Sequence, residues 1–361
     1  AQPWEPSGVE IPLCPPTFME PRKIQWNHLP MVLILITATV IAVGGTIRIY
    51  DAGESCPDWP LCFGTWGFDI SEEEQGAWWD QNPEEIDSRG ENHRYTSFQI
   101  FTEWFHRLLA GSVLGPLVIL QFFIVRRQRD SLSNRSYQLS ALSLGLVIWQ
   151  GFIGYLTVKW DNEHWSVALH LISALIFTLS LIALHFSWRK DIGKEIEITI
   201  GEKTTSRLAI ATFGSLAVLL VGAFVSTTEG ANEACGVSGF PNSWPLCSGS
   251  LGLVIQDIII QSQAIHRWLV ITVFLILIWF GKQEKWASKD NYIRRVANFA
   301  SFTYFLNMIL GAAYILTWTV ESGFYEWLSV LHLLLASLTF LLFSSALVII
   351  NIHGKNISEE E

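Results

Sequence analysis

Charge is what this chain has least of. Only 16% of its 361 residues are Asp, Glu, Lys or Arg, half are hydrophobic, and the mean hydropathy is +0.33. That composition excludes an ordinary soluble domain as the default. Residues 1–30 are rich in Pro but lack any apolar core, so they resemble neither a signal peptide nor a span, and Met19 is an alternative start. Metal-ligating clusters are also missing. No group of thiolates or carboxylates shares the depth of the buried histidines described below, which argues against a compact zinc or copper site.

Long apolar runs, in contrast, are abundant. A membrane-crossing helix needs roughly 20 mainly apolar residues, and eight stretches qualify, near 31–50, 97–125, 137–158, 163–187, 207–227, 257–281, 293–317 and 325–351. Positive charge gathers between alternate spans, at Arg126, Arg127, Arg129 and Arg135, at Arg189, Lys190, Lys194 and Lys203, and at Lys282, Lys285 and Lys289. These segments are therefore expected on the cytoplasmic side, with both termini. The first outer loop, 51–96, carries twelve Asp or Glu against two Arg. It is read as a solvated acidic face before a docking surface, and nucleic acid is not an expected partner.

Four of the five cysteines lie in outer loops, on the side where disulfides persist. Their spacing allows local pairing, Cys56 with Cys62 and Cys235 with Cys247. Loop staples and redox-active bridges both fit. Cys14 falls in the tail and is given no role.

The sequence repeats itself. "WPLC" occurs at 59–62 and 244–247, "EWFHRLLAG" in span two matches "QAIHRWLVI" in span six, and "VALHLISAL" in span four matches "SVLHLLLAS" in span eight. Span three has Gln150 and Gly154 where span seven has Asn307 and Gly311. Each half has four spans entered in the same sense, so the repeat is parallel. The expected fold is an all-α polytopic membrane protein of eight transmembrane helices, arranged as two pseudo-twofold-related four-helix bundles. Its parts would be a tail (1–30), a first bundle (31–187), a cytoplasmic linker (188–206), a second bundle (207–351) and a carboxy-terminal tail (352–361).

His106, His170, His266 and His332 lie within the even-numbered spans, about 10–15 Å below the outer end at 1.5 Å per residue. Ionisable groups inside a bilayer are costly unless they face the bundle interior and find a partner. Two per half at matched depth are best explained as paired axial ligands of heme iron. Gly111, Gly115, Gly151 and Gly154 would admit a planar ligand or a close helix. His28, His93, His164, His185 and His353 are read as interfacial or solvated. The halves differ at one place, where Glu103 in span two meets Gln263 in span six, each three residues before a histidine and on its face. Arg107 and Arg267 turn about 100° away from the ligand face, and packing or propionate contact suits them equally.

In this order, the motifs "SCPDWPLCFG", "EWFHRLLAG", "ALHLISAL", "AIHRW" and "LHLLLAS" resemble the heme A synthase family over roughly residues 30–350. The resemblance implies oxidation of a methyl group of heme O to a formyl group by successive hydroxylations, making heme A for terminal oxidases, with water as the oxygen source. It implies His266 and His332 as ligands of a resident heme b, and His106 and His170 as ligands of the substrate heme O. Glu103 would be the catalytic carboxylate, and Cys56–Cys62 and Cys235–Cys247 the family's outer cysteine pairs. Implied partners are the lipid bilayer, a heme O synthase, oxidase assembly factors and an electron acceptor not named by the sequence, with a homo-oligomer compatible. The implied location is the plasma membrane. A bis-histidine two-heme electron-transfer cytochrome is the competing reading; it gives no reason for Glu103 opposite Gln263. A transporter or heme chaperone is disfavoured because no broken pair of helices carries charge at the midplane.

Overall fold

The computed structural model describes residues 26–160, 162–200, 203–228, 230–253, 257–282 and 291–356. Cys14, Met19, Lys285 and Lys289 lie outside them.

Apolar length dictates the architecture. The described residues contain eight helices long and apolar enough to cross a membrane, and the chain is a multi-pass, helical membrane protein. The spans are α1 (Leu29–Ile49); a composite of α3 (Ser97–Arg107), a π-wound turn (Leu108–Leu114) and α4 (Gly115–Arg127); α5 (Asn134–Lys159); α6 (His164–Asp191); α7 (Thr204–Thr227); α8 (Ile258–Lys282); α9 (Asn291–Leu316); and α10 (Glu326–His353). A short helix, α2 (Glu72–Gln81), sits in the first loop. Local chemistry sets several starts. Capping boxes open α2 (Ser71 with Glu74) and α3 (Thr96 with Gln99), and Ser133 caps α5.

The π-wound turn has a legible cause. Pro116 has no N–H to give the carbonyl four residues earlier, and its ring crowds that carbonyl. The helix widens there, with the Gly115 N–H bonding the Ala110 carbonyl five residues back. The matching span α8 contains no proline and stays regular.

In the first half, α1 packs on α3 and α6, α4 on α5, and α5 on α6; in the second, α7 packs on α8 and α10, and α9 on α8 and α10. Hydroxyl pairs zip the third and fourth spans of each half at matching depth, Ser143 with Ser180 and Thr303 with Thr339, both at 2.9 Å. The halves meet through α1, α6, α7 and α10, where Leu175, Leu219 and Phe340 form a shared apolar cluster. At the other end from the cysteine loops, the segment after α6 and the one after α10 pair as two short parallel strands, β1 (Ile198–Ile200) and β2 (Gly354–Asn356). His185 and His353, read from sequence as interfacial or solvated, are buried, 7% and 5% exposed, and the Ile196 N–H ahead of β1 lies 3.4 Å from His353 Nδ1. His28 and His164 are exposed.

The first loop is folded, not merely solvated. Cys56, Cys62, Phe63, Ile70, Trp79, Tyr95 and Ile100 make a small core of their own, while Glu72, Glu73 and Glu74 stay outside. Glu54 is buried beneath it, accepting from Ser88 Oγ (3.1 Å) and Asn162 Nδ2 (3.1 Å). Burial raises the Glu54 carboxyl above the ordinary range, and burial together with its bond to Asp87 raises the Tyr95 phenol likewise.

Candidate heme sites

Each of the four histidines is seated in a notch that a glycine makes on the preceding span. A Cβ added at Gly44 would stand 3.0 Å from His106 Cε1, at Gly154 3.1 Å from His170, at Gly222 2.9 Å from His266, and at Gly311 2.8 Å from His332. Ordinary side chains do not approach so closely, so a hydrogen at these positions is what lets the rings lie this near the neighbouring backbone. Gly154 and Gly311 had been visible as motif residues. Gly44 and Gly222 had not, although Val43-Gly44 and Val221-Gly222 occupy corresponding places in spans one and five. Gly111 and Gly151, read as candidates for close approach, face open space.

The notch also orients the rings. His332 Nδ1 lies 3.0 Å from the Asn307 carbonyl, four residues before Gly311. A carbonyl only accepts, so this nitrogen carries the proton and Nε2 keeps its lone pair. The Nδ1 atoms of His106, His170 and His266 are likewise buried, and His106 and His266 face the backbone of Val40 and Val218, each four residues before its glycine as Asn307 is before Gly311. All four rings are half-buried. Cε1 is the ring atom nearest each glycine, with Nδ1 and Nε2 both farther off.

The donor set tests what could be held there. No group of three or more His, Cys, Asp or Glu among the described residues could enclose a metal ion, so a bare cation needing a protein cage does not fit. The His266 and His332 ring centres lie 6.4 Å apart with their planes at 83°. Two metal–nitrogen bonds of about 2 Å each, plus half a ring on either side, need roughly that separation. A metal that brings its own equatorial ligands, as in heme, fits both the count and the spacing. His106 and His170 also lie within electrostatic reach of one another.

Above the histidines the halves share one device and differ in its charge. The two loop cysteine pairs form disulfides, Cys56–Cys62 and Cys235–Cys247. Each loop then turns through the same tight bend, Cys62 pairing with Thr65 and Cys247 with Ser250. The two central residues of each bend have positive φ (51° and 75°, 50° and 75°), which the second, a glycine, adopts without strain. An arginine on the next span fastens each loop. Arg107 donates from Nη2 to the Cys56 carbonyl (2.7 Å) and from Nη1 to those of Asp58 (2.5 Å) and Leu61 (3.2 Å). Arg267 donates from Nη1 to the carbonyls of Ser243 and Leu246, both at 2.6 Å. One turn back, Arg107 Nε donates to the Glu103 carboxylate at 2.8 Å, whereas Arg267 Nε reaches the Gln263 amide oxygen at 3.3 Å. Glu103 and Gln263 are both 5% exposed.

The paired amides of the third and seventh spans serve differently. Gln150 Nε2 donates to the His170 carbonyl (2.8 Å) and its oxygen accepts from Ser173 Oγ (2.5 Å), bracing α6. Asn307 acts through its backbone carbonyl on His332, and its side-chain oxygen is buried without a partner among the described residues.

A family model described as cytochrome oxidase assembly protein, COX15-CtaA, matches residues 27–344. The chain belongs to that family. Similar proteins include a heme A synthase of Shouchella clausii, 26% identical over 91% of this chain and 97% of the relative. Another, from Novosphingobium aromaticivorans, is 27% identical over 83% and 88% respectively. A third, from Shewanella oneidensis, is 26% identical over 67% and 68%. The matched region takes in every notch, both arginines and both disulfides.

Proposed function

We propose that the chain is a heme A synthase, an oxidoreductase that converts a methyl group of heme O to a formyl group. The observation that carries this reading is a charged difference between two sites that seat their histidines alike, Glu103 against Gln263. Both halves present paired, backbone-seated histidines, yet only the first places a buried carboxylate beside one of them.

In this reading His266 and His332 hold a resident heme b, and His106 and His170 hold heme O as the substrate. The resident heme, when bound, supplies one-electron redox chemistry. The chain's own residues supply position and field. The glycine notches would seat the four imidazoles that hold the two hemes. Glu103 lies one helical turn from His106, toward the cysteine loop. In a site kept from bulk water, its carboxylate stabilises positive charge developing on the reacting methyl carbon far more than it would in water. The disulfide-closed loop, fastened by Arg107, roofs that turn of helix and limits the entry of water. Net oxidation of the methyl group to a formyl group with water as the oxygen source releases four electrons and four protons, so an external electron acceptor is required.

The two halves would be pseudo-twofold-related four-helix bundles, 31–187 and 207–351, in the plasma membrane. The cysteine loops would face outward and the termini the cytoplasm, in keeping with the basic residues at the opposite end. A heme O synthase and oxidase assembly factors are the partners this role needs. An electron-transfer cytochrome would use the same four histidines but would have no use for a carboxylate in one half alone.

The test is to express the wild type and Glu103→Gln in membranes supplied with heme O, extract the hemes and identify them by chromatography and mass spectrometry. Heme A from the wild type, and retained heme without conversion in the variant, is the expected result. A wild type that binds two hemes and leaves heme O unchanged in the presence of an electron acceptor overturns the reading in favour of the cytochrome.

A further inference from the structure

We propose that Arg107 is a positioning residue, holding the Glu103 carboxylate in place against the disulfide loop so that the fold of that loop sets where the carboxylate stands beside His106. This rests on the functional reading above. The argument begins with donors. Arginine only donates, through a rigid fork, and here every nitrogen of that fork is engaged, Nε with Glu103 and the two Nη atoms with the carbonyls of Cys56, Asp58 and Leu61. Those three carbonyls lie within the ring closed by Cys56–Cys62. The side chains of Arg107 and Glu103 are 13% and 7% exposed. An ion pair so far from water is stable only where its geometry is held and its remaining donors are satisfied.

The other half shows what loop anchoring needs by itself. Arg267 grips its loop through two carbonyls with a neutral amide behind it, and its Nη2 is buried with no partner among the described residues. A charge at 103 is therefore not required to fasten a loop of this kind. What the first half adds is a shorter bond to a charged partner and a carbonyl contact to a cysteine of the bridge itself, which together make carboxylate, guanidinium and disulfide loop one connected unit.

The experiment compares Arg107→Gln, Arg107→Lys and Arg267→Gln in the full chain in membranes. One readout is the infrared carboxylate band of Glu103, assigned by its loss in Glu103→Gln. The other is the kinetics of heme O conversion. In Arg107→Gln the band shifts and kcat falls by about tenfold or more with KM within about twofold, as misplacement of a group aligned for the reaction predicts. Arg107→Lys, which keeps the charge and loses the fork, recovers part of both. Arg267→Gln leaves the Glu103 band where it was. An unshifted band in Arg107→Gln, or a shifted band with an unchanged kcat in an active wild type, overturns the proposal. Should the wild type convert no heme O, the functional reading falls, and the band alone decides whether Arg107 positions the carboxylate.

Discussion

The two halves hold their histidines by the same means and surround them differently. Four glycine notches, two arginine clamps and two disulfide bends recur with little change. The differences gather around His106: a carboxylate at 103 in place of an amide at 263, a π-wound turn after Arg107 where α8 is regular, and a longer, separately cored loop above. The halves share what seats the histidines and differ around the site proposed for the reaction. That division is what specialisation of one copy predicts, and it can be broken experimentally.

The largest effect is expected from exchanging the differing pair. Glu103→Gln should lower heme O conversion by about 100-fold or more, the scale of removing one preorganised electrostatic contact at a reacting centre. Gln263→Glu in the same chain should restore none of it, because the carboxylate would then stand in the half without substrate. Recovery of conversion in the double variant would show that the halves are interchangeable. Next come the notches. Gly222→Ala and Gly311→Ala each force a methyl group to within 2.9 Å and 2.8 Å of a histidine ring. Overpacking of that kind costs about 1–3 kcal/mol, read as heme lost from the second half in the absorbance spectrum of the purified protein. Gly111→Ala meets open space and should leave heme content unchanged. Equal heme loss in all three would refute the seating role of the notches.

Much of this was legible in sequence, for identifiable reasons. Eight spans follow from apolar length alone, and the local disulfides from spacing within each loop. The histidine depth follows from counting along helices. What escaped were relations between helices. Gly44 and Gly222 matter only because a ring from another span lies on them, and no periodicity within α1 or α7 reports that. Arg107 was judged by the direction of its Cα–Cβ bond, 100° from the ligand face. Its long side chain nevertheless reaches Glu103 four residues back and carries its fork up to the loop carbonyls, so reach overrode direction. The β1–β2 pairing joins segments of a linker and a tail too short to carry a strand pattern. Pro116, however, stood in plain view, and its cost to the helix could have been anticipated.

Pro116→Ala sharpens the comparison at a smaller scale. Restoring an N–H at 116 allows regular α winding through 108–114, as in α8, and would rotate the residues on one side of the turn relative to those on the other. A loss of about 1 kcal/mol in transition-state stabilisation is expected, roughly fivefold in rate, with heme content retained. A rate equal to that of the wild type would mean that the wide turn is tolerated packing and has no part in placing His106.

The smallest effect concerns the loop that only the first half elaborates. Glu54 sits beneath it with its carboxyl raised above the ordinary value, burial being the main cause. A group whose folded pKa is raised favours the fold in its protonated form. That contribution is fully present below the unfolded value near 4.5 and is lost as pH rises through the folded value. Amide hydrogen exchange across residues 51–96 should therefore show more frequent opening, after correction for intrinsic exchange, as pH rises through that window. Glu54→Gln stays neutral and can still bond Ser88 or Asn162, so it should remove the dependence and protect the loop at the upper end of the window. The loop at 230–253 carries no buried acid in the corresponding place and serves as the internal reference. If both loops loosen in parallel as pH rises, or if Glu54→Gln leaves the slope unchanged, the titrating group lies elsewhere and the acidic loop owes its fold to its aromatic core alone.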